Sequence, residues 1–238
     1  MKKTFLFIIA GVVAVVILVG IFMAISTSKY GIVKGKIADE LSQDPIRGIK
    51  IVVDGRSTIL YQTTNYQLTG IVPGEYTIET FSPPGWIKFT KTIKVKSGNN
   101  QLDISLKGDK IPNLTEIICF TESEKEGIII EVRFVDREGM GMTEFPQLPI
   151  EINATLWEKI GEEDTWEKGE KLFEGTIEHY WDSQTDLAKN KGTLTWDKLP
   201  IEFEDEKSGV MEIQVHLEQG NFKDTVDDVQ LFPKKEET

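Results

Sequence analysis

From Tyr30 onward, apolar residues recur at every second position in one short run after another, separated by turn-forming residues. A strand puts successive side chains on opposite faces, so this pattern buries one face of a sheet and wets the other, whereas a helix needs a repeat near 3.6. Val33, Gly35 and Ile37 share one face, as do Ile49, Ile51 and Val53, then Ile93 and Val95, then Leu102, Ile104 and Leu106. Lys34, Lys36, Lys50, Lys94 and Asp103 fall on the other. Farther along, Ile128, Ile130, Val132 and Phe134 repeat the pattern, followed by Ile150, Ile152, Ala154 and Leu156, and by Met211, Ile213, Val215 and Leu217. Half-buried antiparallel strands packed as sandwiches are the expectation, and the fold class read here is all-β.

Punctuation between the runs agrees. Asp54-Gly55, Pro73-Gly74, Pro84-Gly85, Ser97-Gly98 and Asp136-Arg137-Glu138-Gly139 occupy turn positions, where glycine is expected to supply a positive φ. Strands at Lys171 to Trp181, Gly192 to Trp196 and Val226 to Phe232 bring the later set to about seven, the number of an immunoglobulin-like or fibronectin-like sandwich. Between them, Gly161 to Glu170 and Asp182 to Lys191 are polar and read as surface hairpins or a short helix.

One stretch is of another kind. Phe5 to Ile25 is 21 residues long and contains no charge and no Asn, Gln or His. As a helix rising about 1.5 Å per residue it would reach roughly the 30 Å of a hydrocarbon core. The expectation is an N-terminal transmembrane helix that anchors the chain in the lipid bilayer through residues 5–25. A short head would stay inside and the rest of the chain outside, giving a single-pass protein of the cell membrane with its C-terminal domains extracytoplasmic. A cleaved leader is the alternative, because Ala24-Ile25-Ser26 offers small residues at the positions a signal peptidase reads, although the run exceeds the roughly 7 to 15 residues of an ordinary signal core.

Beyond the anchor, residues 1–28, the boundaries expected are a first sandwich over 29–107, a linker over 108–116, a second sandwich over 117–233 and a polar tail over 234–238. Charge divides along the same line. Lys29 to Lys107 holds 11 basic and 7 acidic residues, whereas Gly108 to Thr238 holds 14 basic and 32 acidic ones. An excess of acid on the second domain argues against nucleic acid as a partner. The single cysteine, Cys119, has no partner for an internal disulfide and lies in the apolar run Ile117-Ile118-Cys119-Phe120, as a small core residue would.

Three segments of the first domain, GKIADELSQDPIRGIKIVVDG, TTNYQLTGIVPGEYTIETFSPPGW and GNNQLDISL, together resemble the carboxypeptidase regulatory-like domain. The resemblance covers Val33 to Leu106 and implies a transthyretin-like sandwich with an accessory or spacer role. Asn65 stands where that family usually has Gly before Tyr66, a replacement made easier because Asn also visits the left-handed region, and Trp86 replaces its usual Tyr. The run Glu79 to Trp86 also resembles collagen-adhesin B-type repeats, in which a buried Glu promotes a Lys to Asn or Asp isopeptide bond. That resemblance would assign the roles to Lys36, Glu79 and Asp103. Alternation places all three on polar faces, so an unmodified chain is expected.

Convergent catalytic groups are absent from the sequence. His179 and His216 belong to no H-x-x-E or H-E-x-x-H motif, and neither G-x-S-x-G nor a glycine-rich phosphate loop occurs. The acidic clusters Glu162-Glu163-Asp164, Glu202 to Glu206 and Asp224 to Asp228 lack the spaced ligands and Gly of a calcium loop and read as solvated surface. No catalytic, cofactor-binding or metal-binding residue is therefore assigned, and no cofactor is expected. Trp157, Trp166 and Trp181 form a possible ligand platform, since flat indoles stack on sugars or anchor protein contacts; Trp157 falls out of phase with its strand's apolar face, whereas core packing is the default expectation for Trp166, Trp181 and Trp196. Asn113-Leu114-Thr115 and Asn153-Ala154-Thr155 are glycosylation acceptors in form. The function expected is a non-catalytic, membrane-anchored structural or protein-interaction module at the cell surface. The alternative is a receptor or accessory protein for a carbohydrate or peptide.

Overall fold

The computed structural model describes residues 29–161, 165–200 and 207–233. The run Phe5 to Ile25, the clusters at 162–164 and 202–206 and the tail 234–238 lie outside those residues. Among the described residues there are sixteen strands and one short 3-10 turn, Trp196–Lys198, and no helix long and apolar enough to cross a membrane. The strands fall into two compact units, one taking its strands from the residues up to Leu106, without Glu40–Ser42 and Pro84–Trp86, and the other from the residues that begin at Lys107.

In the first unit the strands are β1 (Gly31–Asp39), β2 (Ile49–Val53), β3 (Arg56–Leu60), β4 (Asn65–Ile71), β5 (Gly74–Phe81), β6 (Thr90–Val95), β7 (Gly98–Gln101) and β8 (Ile104–Leu106). One four-stranded sheet runs β4-β1-β7, with β8 also paired to β1, and the other runs β3-β2-β5-β6. Their facing sides carry the expected alternation: Val33, Ile37, Ile49, Ile51, Val53, Ile78, Ile104 and Leu106 are buried. The antiparallel expectation fails at one place, because β1 pairs in parallel with both β7 and β8. These two strands follow β6, which belongs to the opposite sheet, so the chain crosses the sandwich before it returns beside β1.

Between β7 and β8 the chain passes over β1 at very short range. A Cβ built on Gly35 would lie 1.8 Å from the carbonyl oxygen of Leu102, so only glycine fits. At the β2–β3 hairpin Asp54 and Gly55 have φ of 50° and 69°, the mirror-image turn that matches strand twist. Two turn expectations need correction. Gly74 opens β5 and is not among the glycines with positive φ, whereas Gly70, within β4, has φ 74°. Nor does Asn65 need the left-handed region: it opens β4, and its N–H donates to the Thr63 hydroxyl at 3.1 Å.

The second unit contains β9 (Leu114–Ser123), β10 (Gly127–Asp136), β11 (Glu151–Ile160), β12 (Glu167–Ile177), β13 (His179–Trp181), β14 (Asn190–Thr195), β15 (Ser208–Leu217) and β16 (Gly220–Gln230). Two four-stranded sheets, β13-β14-β10-β9 and β12-β11-β15-β16, bury Ile128, Ile130, Val132 and Phe134 of one against Ile152, Leu156, Met211, Ile213 and Val215 of the other in a single apolar cluster. Within the stretch read as a linker, Ile111 is buried in that cluster and Leu114 to Glu116 already belong to β9. Strand β12 likewise begins inside the stretch read as a polar loop.

Strands β9 and β16, each at the edge of its sheet, are joined by side chains. The Asp224 carboxylate accepts the Cys119 N–H at 2.6 Å, and the Ser123 hydroxyl donates to the Gln230 carbonyl at 2.7 Å. An unpaired strand edge is a template for foreign strands, and these bonds occupy part of it. Burial, followed by the nearby Asp224 charge, pushes the Cys119 thiol far up its scale, which keeps it protonated and unreactive.

Candidate functional site

The three tryptophans expected to make a platform do not share one sheet. Trp157 stands on the outer face of β11, and the Lys168 ammonium, itself paired with Glu212, lies 3.9 Å from its ring centroid. Trp166 is approached at 5.5 Å by Lys159, whose side chain is only 7% exposed and is paired with Asp228. Both indoles are half-buried and each already has a cation at its ring. Trp181 belongs to the opposite sheet. It packs edge-on against Phe145 at 5.7 Å, and Phe145 packs in the same way against Phe134 at 5.1 Å. Half-buried Trp196 packs against the core cluster and donates its indole N–H to the Glu124 carbonyl at 3.0 Å. The cross-strand pairing of Lys159 with Lys168 supplies both cations, a relation that the separation of these residues in sequence hides.

Lys36, Glu79 and Asp103 do not converge either. The carboxylate of Asp103 accepts the Lys36 backbone N–H and the Gln101 amide, each at 2.8 Å, so it braces the gap between β7 and β8. Glu79 lies in the other sheet, 3.2 Å from the Lys88 ammonium. An open hollow of ≈ 330 Å³ beside Lys36 is lined by Lys34, Gln67, Gln101 and Asp103. Below it the Tyr66 hydroxyl donates to the Leu102 carbonyl at 2.7 Å, and burial, reinforced by the Asp103 charge, pushes the phenol well up.

A different face carries the chemistry of contact. On the outer side of sheet β13-β14-β10-β9, Phe120 pairs across from Glu131, Glu131 from Lys191, and Lys191 from Tyr180, while Ile118 stands opposite Arg133. The Arg133 guanidinium lies 4.1 Å from the centroid of Phe120 and 3.2 Å from Glu131. Lys191 continues the chain, 3.3 Å from Glu131 and 2.9 Å from Asp182. Hydrogen bonding from Lys191 holds the Asp182 carboxyl below its ordinary range. Burial would lower Lys191, but its bonds to Asp182 and Glu131 outweigh that and raise it. This fixed network sits among apolar groups left open to solvent: Ile118 is 41% exposed, Phe120 43% and Tyr180 41%. Next to it, Glu124, Glu126, Ile129, Tyr180 and Thr193 line a hollow of ≈ 420 Å³.

Sequence reading missed this face because Ile117 to Phe120 is a continuous apolar run that masks its own alternation. Ile117 and Cys119 point inward and are buried, whereas Ile118 and Phe120 point outward.

The histidines lie on different sheets. His179 Nε2 is 3.0 Å from Asn190 Oδ1 on the core side, and His216 Nδ1 is 2.8 Å from Asn221 Oδ1 on an outer face. Burial lowers His179, with the Asn190 contact acting against it more weakly. A histidine lowered by folding binds fewer protons native than unfolded, so its contribution is complete above its unfolded pKa near 6.5 and is lost as pH falls toward the folded value. Asp182, also lowered, adds a second loss on acidification through the carboxylate range. The melting temperature of the second unit is expected to fall in two stages on acidification, and His179→Gln should abolish the first stage. A melting temperature unchanged between pH 7 and the carboxylate range would contradict this.

Among the described residues no three His, Cys, Asp or Glu side chains come together to hold a metal ion. Asn113 is exposed in a turn with φ 60°, whereas Asn153 on β11 is hydrogen-bonded to Glu151 and Thr176.

No protein-family model matches the chain, and no curated protein matches it. Solved structures similar to it include a DUF3823 family protein from Bacteroides ovatus, with 12% identity over 86% of this chain and 100% of that one and a TM-score of 0.27. A protein from Bacteroides uniformis titled "putative carbohydrate binding protein" shares 15% identity over 82% of this chain and 98% of its own, with a TM-score of 0.29. A DUF3823 family protein from Parabacteroides merdae shares 12% identity over 86% and 99%, with a TM-score of 0.30. Likeness at this level assigns neither a family nor a ligand.

Proposed function

We propose that the chain is a non-catalytic, membrane-anchored, extracytoplasmic module whose second unit binds another protein through the outer face of β13-β14-β10-β9. The observation that carries this reading is the exposed set Ile118, Phe120 and Tyr180 around the braced Arg133 and Glu131, because aromatic and arginine side chains dominate protein contact energies. The resemblance of the first unit to carboxypeptidase regulatory-like domains supports an accessory role, and the apolar run Phe5 to Ile25 supports the anchor. Glycan or peptide binding is the second reading, favoured by the hollow beside Tyr180.

Photo-crosslinking from position 120 in the native host should capture a discrete protein partner, while the same group at Asp227 on the other sheet should not. Phe120→Ala or Tyr180→Ala should weaken that partner about 30-fold, the scale of an interface hot spot, while altering stability by about 1 kcal/mol or less. A pattern identical at both positions would refute the face. The anchor is tested separately: full-length protein should survive an alkaline membrane wash with a mass that includes Met1 or Lys2, and a mature chain beginning near Thr27 would refute it.

A further inference from the structure

Strand β1 begins at Gly31, and the end of the first unit around it is built from three loops. Gly31 pairs with Ile71 and Gly98, the Gly98 N–H donates to the Tyr30 carbonyl at 3.0 Å, and Gly74 pairs with Val95. The Arg56 guanidinium reaches the same end, within 3.2 Å of a Cβ position on Gly70. This end exposes Tyr30 (48%) and Val72 (53%), followed by exposed Pro73. Lys29, Arg56, Lys94 and Lys96 surround them, against Asp54 and Glu75, and all six are exposed. The loop that holds Lys96 is fixed: the Asn100 side chain accepts the Lys96 N–H at 2.9 Å and donates to the Lys96 and Gly98 carbonyls at 2.8 and 3.0 Å.

Five residues, Ser26 to Tyr30, separate the apolar run from β1. Even fully extended they reach about 18 Å. The opposite end of the unit, where the Ile37 N–H meets the Thr64 carbonyl and Tyr61 is 60% exposed, lies about 20 Å farther along β1. The Tyr30 end is therefore the one that a bilayer holding residues 5–25 meets first, since contact through the opposite end would demand a fully extended link. Its chemistry suits that position, since an aromatic and an aliphatic tip ringed by Lys and Arg match an interface of apolar tails and anionic headgroups.

Resting on the anchored reading above, we propose that this loop end docks onto an anionic lipid surface, with Tyr30 and Val72 in the headgroup layer and Lys29, Arg56 and Lys96 facing lipid phosphates. Docking of this kind sets the height and tilt of the first unit above the membrane.

The test uses full-length protein reconstituted into phosphatidylcholine vesicles with or without phosphatidylserine, plus a lipid carrying a nitroxide on its headgroup. A fluorophore on Val72→Cys reports contact and one on Tyr61→Cys is the control, since Cys119 is buried. Quenching of the Val72 label should exceed that of the Tyr61 label, rise with phosphatidylserine and fall in high salt. Arg56→Gln and Lys96→Gln should each reduce the docked-to-undocked ratio about fivefold, the worth of one basic residue at such a surface. If the protein withstands an alkaline wash but the two labels are quenched alike, docking is wrong and the anchor stands. If it washes off while added phosphatidylserine vesicles still quench the Val72 label, docking stands and the anchor is wrong. Loss of both overturns both.

Discussion

Gly35→Ala is expected to destabilise the first unit by about 3 kcal/mol, near the top of the range for forcing extra atoms into a packed site. The new methyl would sit 1.8 Å from the Leu102 oxygen and 2.6 Å from its carbonyl carbon, and these are backbone atoms that cannot rotate aside. Relief requires β1 to move away from the chain that bridges β7 and β8. That would disturb the Leu102 N–H bond to the Lys34 carbonyl, now 2.9 Å, and the Asp103 brace on Lys36. Hydrogen exchange of the β1 amides should accelerate by about two orders of magnitude, whereas Lys34→Ala, which adds no atoms, should change little. Equal protection in wild type and Gly35→Ala would show that the crossing is looser than described.

The second large effect is expected at Phe134. Its side chain is fully buried, packs edge-on against Phe145 at 5.1 Å and faces the opposite sheet through the common cluster. Phe134→Ala should cost about 3 to 5 kcal/mol, from lost burial plus the cavity left behind. Urea titration followed by tryptophan fluorescence reads this directly, because Trp157, Trp166, Trp181 and Trp196 all lie in the same unit. A cost below about 1 kcal/mol would mean that the two sheets do not share one packed core.

How far the sequence foretells this structure depends on whether neighbouring residues contrast in polarity. Glu131 and Arg133 mark the polar phase of Ile128 to Phe134 despite the three consecutive isoleucines at its start, as Glu212, Gln214 and His216 do for Met211 to Leu217, and both apolar sets are buried as read. Ile117 to Phe120 has no such contrast, so the outward direction of Ile118 and Phe120, and with it the contact face, could not be read locally. Parallel pairing of β1 with β7 and β8 was hidden for another reason: alternation specifies faces and is silent about neighbours and direction. The fate of the tryptophans was likewise a matter of register. Each of Trp157 and Trp166 meets a lysine brought in across the β11–β12 pair, and no spacing along one strand announces it.

The edge closure made by Asp224 and Ser123 also bears on synthesis. It joins the first strand of the second unit to the last, over 105 residues between Cys119 and Asp224 and 107 between Ser123 and Gln230. A ribosome adding about 5 to 20 residues per second would have β9 ready several seconds before its latch exists. Throughout that interval a nascent chain carries β9 with its outer edge open, and the apolar groups that β11, β15 and β16 later cover are accessible to chaperones or to a neighbouring chain. Truncation just before Asp224 should therefore give a product that associates with itself, whereas truncation after Pro233, which keeps the buried Leu231, should not.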